Sequence, residues 1–267
     1  MQQKEARILE FNYHTHTVRC RHANGTDREY VEAAIQNGIK ELGFSDHSPY
    51  IFPESFGDYY SGHRMRPELL ENYCGSILAL KNEYKSDISI HLGVEIEYYP
   101  LSFDQTYKFL KDAGVEYMLL GQHFTGNEIG EGSYYVCGGC SDRDDMLDEH
   151  TETVIMCIES GKFLYIAHPD IFYYKGDEAH YKENMLRIAK AAEQYNVPLE
   201  INLLGYSGGR TYPNIRFWEA VAETKAPVIF GADAHDPRVF SACDAYIAKW
   251  KKETAALKLN YVEKPLF

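Results

Sequence analysis

The sequence predicts an α/β fold, a distorted (β/α)7 TIM-like barrel with a metal site at the C-terminal edge of its strands. Seven short apolar segments alternate with segments of helical spacing, and six of the seven end in His, Asp or Glu. Strands that alternate with helices predict a parallel sheet with right-handed crossovers. An open doubly wound sheet takes its site from two or three strands at one switch point, so contributions after six strands favour closure into a barrel.

The elements follow from hydrophobic spacing and from helix-end signals. Strands are predicted at 7–14, 41–45, 88–97, 117–122, 163–167, 199–203 and 227–231. Helices are predicted at 28–37, 67–84, 103–113, 142–160, 181–195, 215–223 and 240–257. Asp27 is placed to cap the first helix, Pro67 suits a first turn, and Gly38, Gly114 and Gly161 follow three helix ends. We expect residues 1–267 to form a single domain.

Composition limits the classes of partner and compartment. A hydrophobic content of 45% in 267 residues supports a substantial core, and a net charge of −13 argues against a nucleic-acid or anionic-membrane surface. The chain shows neither a signal-peptide pattern at its start nor a run of about 20 apolar residues. Six scattered cysteines suit a reducing compartment. These features predict a cytoplasmic enzyme, and they leave its oligomeric state open.

Two short motifs place paired ligands on one strand face. His14 and His16 are two residues apart, so on a strand both imidazoles point to the same side and are able to converge on one ion. Asp233 and His235 repeat this spacing after the last predicted strand. Either motif alone is weak, since the His-x-His pattern is common by chance.

Further candidate ligands follow other strands. Glu95 and Glu97 share a face, so one could bridge two metals while the other supports the site or meets solvent. His123 and His168 each follow an apolar strand. A mixed His and carboxylate set suits Zn²⁺, Mn²⁺ or Fe²⁺ rather than Mg²⁺ or Ca²⁺. The absence of Cys from these positions indicates a catalytic site rather than a closed structural zinc site.

Taken together, these residues resemble the ligand set of the polymerase and histidinol phosphatase (PHP) superfamily of metallophosphoesterases, in particular its histidinol-phosphate phosphatase branch. The resemblance runs from residue 12 to about 238 and includes the strings FSDHSP, GVEIEY, GQHF, AHPD and GADAHDP. The residues that carry it are His14, His16, His22, Asp46, His47, Glu95, His123, His168, Asp233 and His235.

The resemblance implies a distorted seven-stranded barrel that holds two to three divalent transition-metal ions, Zn, Mn or Fe. One ion would take His14, His16, Glu95 and Asp233. A second would take Glu95, His123 and His168, with Glu95 bridging, and a third would take His22, His47 and His235. The implied activity is hydrolysis of a small phosphomonoester, L-histidinol phosphate, to L-histidinol and phosphate in histidine biosynthesis.

The expected chemistry follows from the ions. A water that bridges two divalent ions is acidified toward a neutral pKa and, as hydroxide, attacks phosphorus in line. The leaving alkoxide needs help from the far side, and His235, Asp46 and a metal-bound water are the candidates. A phosphate monoester also favours a bidentate Arg. We expect Arg210 and Arg64 to bind it; Arg19 and Arg21 are weaker candidates, and Asn202 could support the site.

Several alternatives stay open. A phosphatase of the same superfamily could act on phosphotyrosine or a nucleotide, although no larger basic and aromatic loop favours a nucleotide. An amidohydrolase also begins with His-x-His on a barrel strand, but its pattern expects a lone terminal Asp and often a carbamylated Lys. A non-enzymatic metal-binding scaffold is the third class. Cys137 and Cys140 have CxxC spacing without a second pair, so we interpret them as incidental thiols.

Overall fold

A computed structural model describes residues 9–57, 61–129, 134–136, 139–263 and 266–267. Its strands are β1 Phe11–Asn12, β2 Glu41–Phe44, β3 Ser89–Ile96, β4 Tyr117–Leu120, β5 Phe124–Thr125, β6 Tyr134–Tyr135, β7 Tyr165–Ile166, β8 Leu199–Asn202, β9 Pro227–Gly231 and β10 Asn260–Tyr261. Its α-helices are α1 Asp27–Gln36, α2 Leu70–Glu83, α3 Phe103–Asp112, α4 Asp144–Glu159, α5 Glu178–Tyr195, α6 Leu203–Ser207, α7 Ile215–Val221 and α8 Phe240–Glu253. None of these described helices is long and apolar enough to cross a membrane.

The main sheet is parallel and curls toward closure. Its strand order is β1-β2-β3-β4-β7-β8-β9-β10, and every neighbouring pair is parallel. Just past β1 and β9, the His16 amide donates to the Ala234 carbonyl at 2.9 Å, and the Ala234 amide donates to the His14 carbonyl at 3.1 Å. The two ends of the sheet therefore meet at the C-terminal edge, while β10 pairs with the start of β9.

The predicted TIM-like α/β fold is confirmed. Each of the seven predicted strands contains one strand of the main sheet; residues 7 and 8 of the first lie outside the described residues. The sequence did not predict β10 or the antiparallel ribbon of β5 and β6. One capping prediction was wrong by one residue, because Thr26 rather than Asp27 caps α1. The Thr26 side chain accepts from the Glu29 amide, and the Glu29 carboxylate accepts from the Thr26 amide, which satisfies two free donors at once.

The inner face of the sheet carries a layer of tyrosines. Tyr13, Tyr117 and Tyr165, here called the tyrosine layer, are buried together with Leu119 and Ile229. On β4 the alternate residues Met118 and Leu120 instead join the larger core between sheet and helices, so the strand separates two apolar layers.

Hydrogen bonds hold the tyrosine layer in register with the strands around it. The Tyr117 hydroxyl donates to the carbonyls of Tyr13 at 2.7 Å and Phe44 at 3.0 Å. A Cβ atom at Gly43 or Gly93 would overlap the Tyr117 side chain, so this ring of β4 needs glycine at one position of β2 and at one of β3. The layer closes the barrel from below and leaves the C-terminal edge as the open end.

Candidate metal centre

Four predicted ligands converge past the ends of β1 and β9 and on β3. The His16 Nε2 atom lies 3.0 Å from Asp233 Oδ1 and 3.5 Å from Glu95 Oε2. The His14 Nε2 atom lies 3.5 Å from Asp233 Oδ1 and 3.6 Å from Glu95 Oε2. All four side chains are buried. The structure thus brings together the four residues expected around the first ion.

The second carboxylate oxygen of Glu95 faces a different pair of imidazoles. Its Oε1 atom lies 2.8 Å from His168 Nε2 and 3.7 Å from His123 Nε2. The His47 Nδ1 atom approaches the first oxygen, Oε2, at 3.0 Å. Because its two oxygens point to two groups of nitrogen donors, Glu95 has the geometry of a bridging carboxylate.

A third group lies toward solvent. His22, His47 and His235 each offer one ligand atom, and these atoms lie within 4.8 Å of one another. The rings of His22 and His235 are stacked with centroids 4.9 Å apart, and the His22 and His47 centroids are 5.1 Å apart. The three residues expected around the third ion are therefore neighbours. We call the strand ends that carry the three groups the metal edge.

The donor atoms of the metal edge fit a cation. His14 Nε2, His16 Nε2, Glu95 Oε2 and Asp233 Oδ1 are buried and have no hydrogen-bond partner among the described residues. Buried polar atoms are nearly always paired, since leaving one unpaired costs roughly 1–3 kcal/mol. Four such atoms within 3.6 Å of one another in the pairs given above indicate a site that divalent ions would complete.

Residues 12–203 match the PHP domain family. The chain belongs to this family. A probable histidinol-phosphatase of Deinococcus radiodurans is 28% identical over 231 residues, which cover 84% of this chain and 85% of the relative. The histidinol-phosphatase of Bacillus subtilis is 27% identical over 254 residues, covering 83% and 92%.

Two solved structures share the fold. The histidinol phosphate phosphatase of Lactococcus lactis, crystallised with zinc, L-histidinol and phosphate, has a TM-score of 0.66 and 19% identity, covering 95% of both chains. A putative histidinol phosphatase of Listeria monocytogenes has a TM-score of 0.69 and 21% identity, covering 86% of this chain and 96% of its own.

In this PHP domain, the Nδ1 atoms of three predicted histidine ligands have hydrogen-bond partners. His14 Nδ1 lies 2.8 Å from Glu200 Oε1, and His123 Nδ1 lies 2.9 Å from Glu97 Oε1. His22 Nδ1 lies 2.9 Å from the Cys20 carbonyl oxygen. Such partners fix the tautomer and aim the other nitrogen at the ion. Of the two acidic residues sharing a face, Glu95 therefore lies among the predicted ligands, and Glu97 contacts one of them, His123.

Glu200 is the residue that sequence reasoning missed. It lies fully buried on β8, whose run was expected to end without a ligand. Besides its contact with His14, its carboxylate accepts from the Asn202 side chain at 3.0 Å, the Tyr165 hydroxyl at 3.2 Å and the His168 amide at 3.1 Å. An acidic residue inside an otherwise apolar strand was the signal that could have found it.

Glycines make room for the two central carboxylates. A Cβ atom at Gly121 would overlap the carboxylate of Glu95, and a Cβ atom at Gly231 would overlap that of Glu200. The neighbouring strands therefore need glycine where each acid crosses the barrel interior.

Two predicted ligands hold an uncommon backbone conformation. His168 has φ 30° and Asp233 has φ 48°, both in the left-handed region. Such conformations cost on the order of 1–3 kcal/mol and cluster at functional sites. Here they turn two side chains inward directly after β7 and β9.

Electrostatics at the metal edge favours an added positive charge. Burial alone would lower the pKa of His14, but the carboxylates of Glu200, Asp233 and Glu95 raise it to about 10. Without metal ions, a proton is thus held where carboxylates crowd. Toward solvent the balance reverses: burial and neighbouring imidazoles lower the pKa of His47 to about 3.

The ring of His22 behaves like that of His47. Burial and the charges of His235 and His16 lower its pKa to about 4. Both rings are therefore neutral at physiological pH, which is the form that binds a metal.

The two candidate proton donors occupy different positions. Asp46 is fully buried, accepts a hydrogen bond from the Thr17 hydroxyl and lies 3.5 Å from His16 Nδ1. Burial alone would raise the pKa of Asp46, but hydrogen bonding to His16 and Thr17 holds it below its usual range. His235 instead lines the open cavity and is 18% exposed. This arrangement favours His235 over Asp46 as the candidate proton donor.

A cavity of about 550 Å³ opens over the metal edge. Arg210 and Tyr212 line it, and Arg210 Nη1 donates to the Tyr212 hydroxyl at 2.9 Å. The Tyr212 and His168 ring centroids are 5.7 Å apart, which links this pair to the predicted ligands. His63, Phe124 and Tyr135 form another part of the lining.

Arg64, the other predicted phosphate ligand, does not line this cavity. It is buried, donates to Glu97 Oε2 and to Glu128 Oε2 at 2.9 Å each, and reaches the Tyr99 hydroxyl at 3.2 Å. Because carboxylates already engage its guanidinium, the geometry opposes the expectation that Arg64 contacts phosphate.

The weaker candidates are also placed. Arg19 makes a two-point ion pair with Asp27 at 2.9 Å, and Arg21 donates to the Ser61 carbonyl. Asn202 donates to Asp233 Oδ2 at 3.0 Å, as a supporting residue would. The Cys137–Cys140 pair includes a position, 137, that lies outside the described residues.

Proposed function

We propose that this chain is a metal-dependent phosphomonoesterase that hydrolyses L-histidinol phosphate to L-histidinol and phosphate in histidine biosynthesis. The observation that carries the proposal is Glu95, whose two oxygens face two groups of imidazoles at the floor of an open cavity. Membership of the PHP domain family and relatives named as histidinol-phosphatases support it.

Two to three divalent transition-metal ions, Zn, Mn or Fe, form the cofactor in this proposal. The residues that would hold them are His14, His16, Glu95 and Asp233; Glu95, His123 and His168; and His22, His47 and His235. When bound, such ions acidify water and neutralise the charge of phosphate oxygens.

The chain itself orients the substrate. Arg210 binds the phosphate, since its planar guanidinium matches two oxygens at once and its bond to Tyr212 limits its rotation. When the group of His22, His47 and His235 holds no ion, His235 supplies the proton for the leaving alkoxide, because it lines the cavity while Asp46 is buried behind His16 and Thr17. In this proposal Arg64 does not contact the substrate; it donates to Glu97 and holds that carboxylate in place.

The leaving group contacts an aromatic wall. The His63 and Tyr135 rings are stacked with centroids 5.1 Å apart, and the Phe124 ring lies 5.0 Å from that of Tyr135. A flat heterocycle such as imidazole stacks favourably on such a surface. This wall favours L-histidinol phosphate over an aliphatic phosphomonoester, with a small molecule rather than nucleic acid as the partner.

The proposal extends to organisation and location. We infer that residues 1–267 act as one domain and that the enzyme works in the cytoplasm, where an enzyme of amino-acid biosynthesis meets its substrate.

A substrate panel tests the proposal. Phosphate release would be measured from histidinol phosphate, phosphotyrosine, adenosine monophosphate and p-nitrophenyl phosphate with added Mn²⁺ or Zn²⁺. We expect preference for histidinol phosphate, loss of activity in His14→Ala, and a raised KM in Arg210→Ala. Equal slow turnover of all four would reject the substrate while keeping the reaction class. Absence of metal-dependent release from every compound would reject the phosphatase itself.

A further inference from the structure

A thiol lies at the metal edge beside the predicted ligands. The 3-10 turn Val18–Cys20 begins after Thr17 and ends at Arg21, whose φ of 70° reverses the chain toward His22. This tight turn leaves Cys20 fully buried, and its Sγ atom donates to the Thr17 carbonyl at 3.1 Å. The same turn thus delivers both His22 and a sulfur atom to the metal edge.

The sulfur belongs to a further group of possible ligands, two of which also belong to the groups described above. His16, Cys20 and His235 each offer one donor atom, and these atoms lie within 4.8 Å of one another. The rings of His16 and His235 are stacked, with centroids 4.0 Å apart and planes inclined by 20°. His16 is fully buried, and neither of its ring nitrogens has a hydrogen-bond partner among the described residues.

We propose that His16, Cys20 and His235 form a thiolate-containing site for a thiophilic divalent ion such as Cd²⁺. Soft ions prefer sulfur, whereas the three groups expected from the family contain only nitrogen and oxygen donors. Binding converts the thiol to a thiolate and releases its proton to solvent, so no oxidant or reductant is required.

Occupancy of this site has a consequence for its neighbours. His16 is shared with the group of His14 and Glu95, and His235 is shared with the group of His22 and His47. A neutral imidazole has one nitrogen lone pair available for coordination, so a soft ion held beside Cys20 competes with both groups for a ligand. The site is therefore inhibitory.

Absorption spectroscopy tests the binding directly. Purified protein would be titrated with Cd²⁺, and the ultraviolet thiolate-to-cadmium charge-transfer band recorded. The background variant is Cys137→Ser/Cys140→Ser, which removes the CxxC thiols, including the exposed Cys140. We expect the band to persist in this background and to disappear when Cys20→Ser is added. A band that is absent from the background variant, or that survives Cys20→Ser, would overturn the proposal.

A second measurement covers the case in which Cys20→Ser does not fold. The ¹¹³Cd NMR spectrum of the CxxC-free background distinguishes sulfur-bound cadmium from cadmium held by nitrogen and oxygen alone. We expect a resonance in the range of one sulfur ligand. Resonances restricted to nitrogen and oxygen coordination would reject the site without any variant at Cys20.

Inhibition gives the third readout, and this part alone rests on the proposed phosphatase function. In the Mn²⁺-loaded enzyme, we expect Cys20→Ser to raise the Cd²⁺ concentration for half-inhibition by roughly tenfold or more, each variant being normalised to its own rate. Equal sensitivity would overturn the inhibitory role. If no substrate is hydrolysed, the proposed function fails, while the spectra still decide whether the thiolate site exists.

Discussion

The metal edge and the tyrosine layer lie in the same barrel, and both bury polar atoms. In the tyrosine layer the polar atoms are paired: Tyr13 donates to Glu41 at 2.6 Å, and Tyr117 donates to two carbonyls. At the metal edge, the Nε2 atoms of His14 and His16 face carboxylate oxygens but lack hydrogen bonds among the described residues. Hydrogen-bond pairing thus distinguishes the tyrosine layer, whose buried polar atoms have partners, from the metal edge, where several have none among the described residues.

Burial alone therefore does not distinguish the metal edge from the tyrosine layer. The tyrosine layer and the ligand group of His14, His16, Glu95 and Asp233 are both buried, and in both of them carboxylates contact ring groups. What differs is that several donor atoms at the metal edge converge on shared points, whereas each tyrosine hydroxyl is used by strand carbonyls or a single acid. A folded chain tolerates such convergence when a ligand repays its cost.

Glu95→Gln should break the metal edge most severely. The change keeps the shape of the side chain and removes the charge that faces five imidazoles, so we expect kcat/KM to fall by roughly 10³-fold and metal content to drop. Steady-state kinetics and metal analysis of the purified variant would measure both. Glu41→Gln, a matched change in the tyrosine layer, should leave metal content intact. Full metal content in Glu95→Gln would show that the Glu95 charge is not needed to bind metal.

Asp170→Asn tests a buried polar atom outside the predicted ligands, because Asp170 Oδ1 also has no hydrogen-bond partner among the described residues. Burial raises its pKa to about 7, although Asn214 and Trp218 donate to its other oxygen. The folded state therefore binds a proton that the unfolded state has lost, and wild-type stability falls as pH rises from about 4 to 7.

We expect Asp170→Asn to be more stable than wild type at pH 8, by on the order of 2–4 kcal/mol, with the difference vanishing near pH 4. Urea unfolding at pH 4, 6 and 8 would measure it, and metal content should not change. A variant with the same pH slope as wild type would show that Asp170 does not carry this titration.

Metal removal should act on stability through the metal edge. An ion at 100 times its dissociation constant stabilises the folded state by about 2.7 kcal/mol per site. For a chain of this length each kcal/mol shifts the Tm by about 2–4 °C, so chelation should lower the Tm by at least about 5 °C. Thermal unfolding with and without chelator, followed by readdition of Mn²⁺ or Zn²⁺, tests this. An unchanged Tm would mean that the convergent atoms bind no ion under these conditions.

Glu200→Gln probes the contact between the two layers. Glu200 holds His14 from below and accepts from Tyr165 of the tyrosine layer, so its loss should misorient one predicted ligand without removing it. Partners of this kind are worth 10- to 100-fold in metal affinity or activity, and we expect a fall in that range. Metal titration followed by kinetics at saturating metal would separate weakened binding from slower turnover; a loss as large as in Glu95→Gln would make Glu200 a ligand.

The sequence predicted those parts of the site that depend on short-range order. His14 and His16, or Asp233 and His235, are recognisable because strand periodicity and strand ends fix their direction within a few residues. The order of elements and the parallel sheet followed from the same local signals. Parallel strands end at one edge, so local patterns were sufficient to predict that candidate ligands far apart in the sequence lie close together.

Side-chain contacts between residues far apart in the chain could not be predicted from the sequence. The partners of Arg64, Glu97 and Glu128, lie 33 and 64 residues away, so its neighbours in the sequence do not reveal that carboxylates contact its guanidinium. Glu200 sits in mid-strand, where nothing local reveals that it meets His14, 186 residues earlier. These side chains are defined by what the fold brings next to them rather than by their neighbours in the chain.

Tyr117→Phe has the smallest expected effect and tests whether the tyrosine layer affects stability independently of the metal edge. It removes one hydroxyl from the tyrosine layer and leaves the ring that fills the space between Gly43 and Gly93. Loss of its hydrogen bonds to two carbonyls should cost about 1 kcal/mol of unfolding free energy. Since no predicted ligand contacts this hydroxyl in the described residues, metal content and kcat/KM should stay within about twofold of wild type. Urea unfolding beside metal analysis would measure both. If metal content fell together with stability, the tyrosine layer would set the positions of the strand ends above it, and the two layers would have to be treated as one cooperative unit.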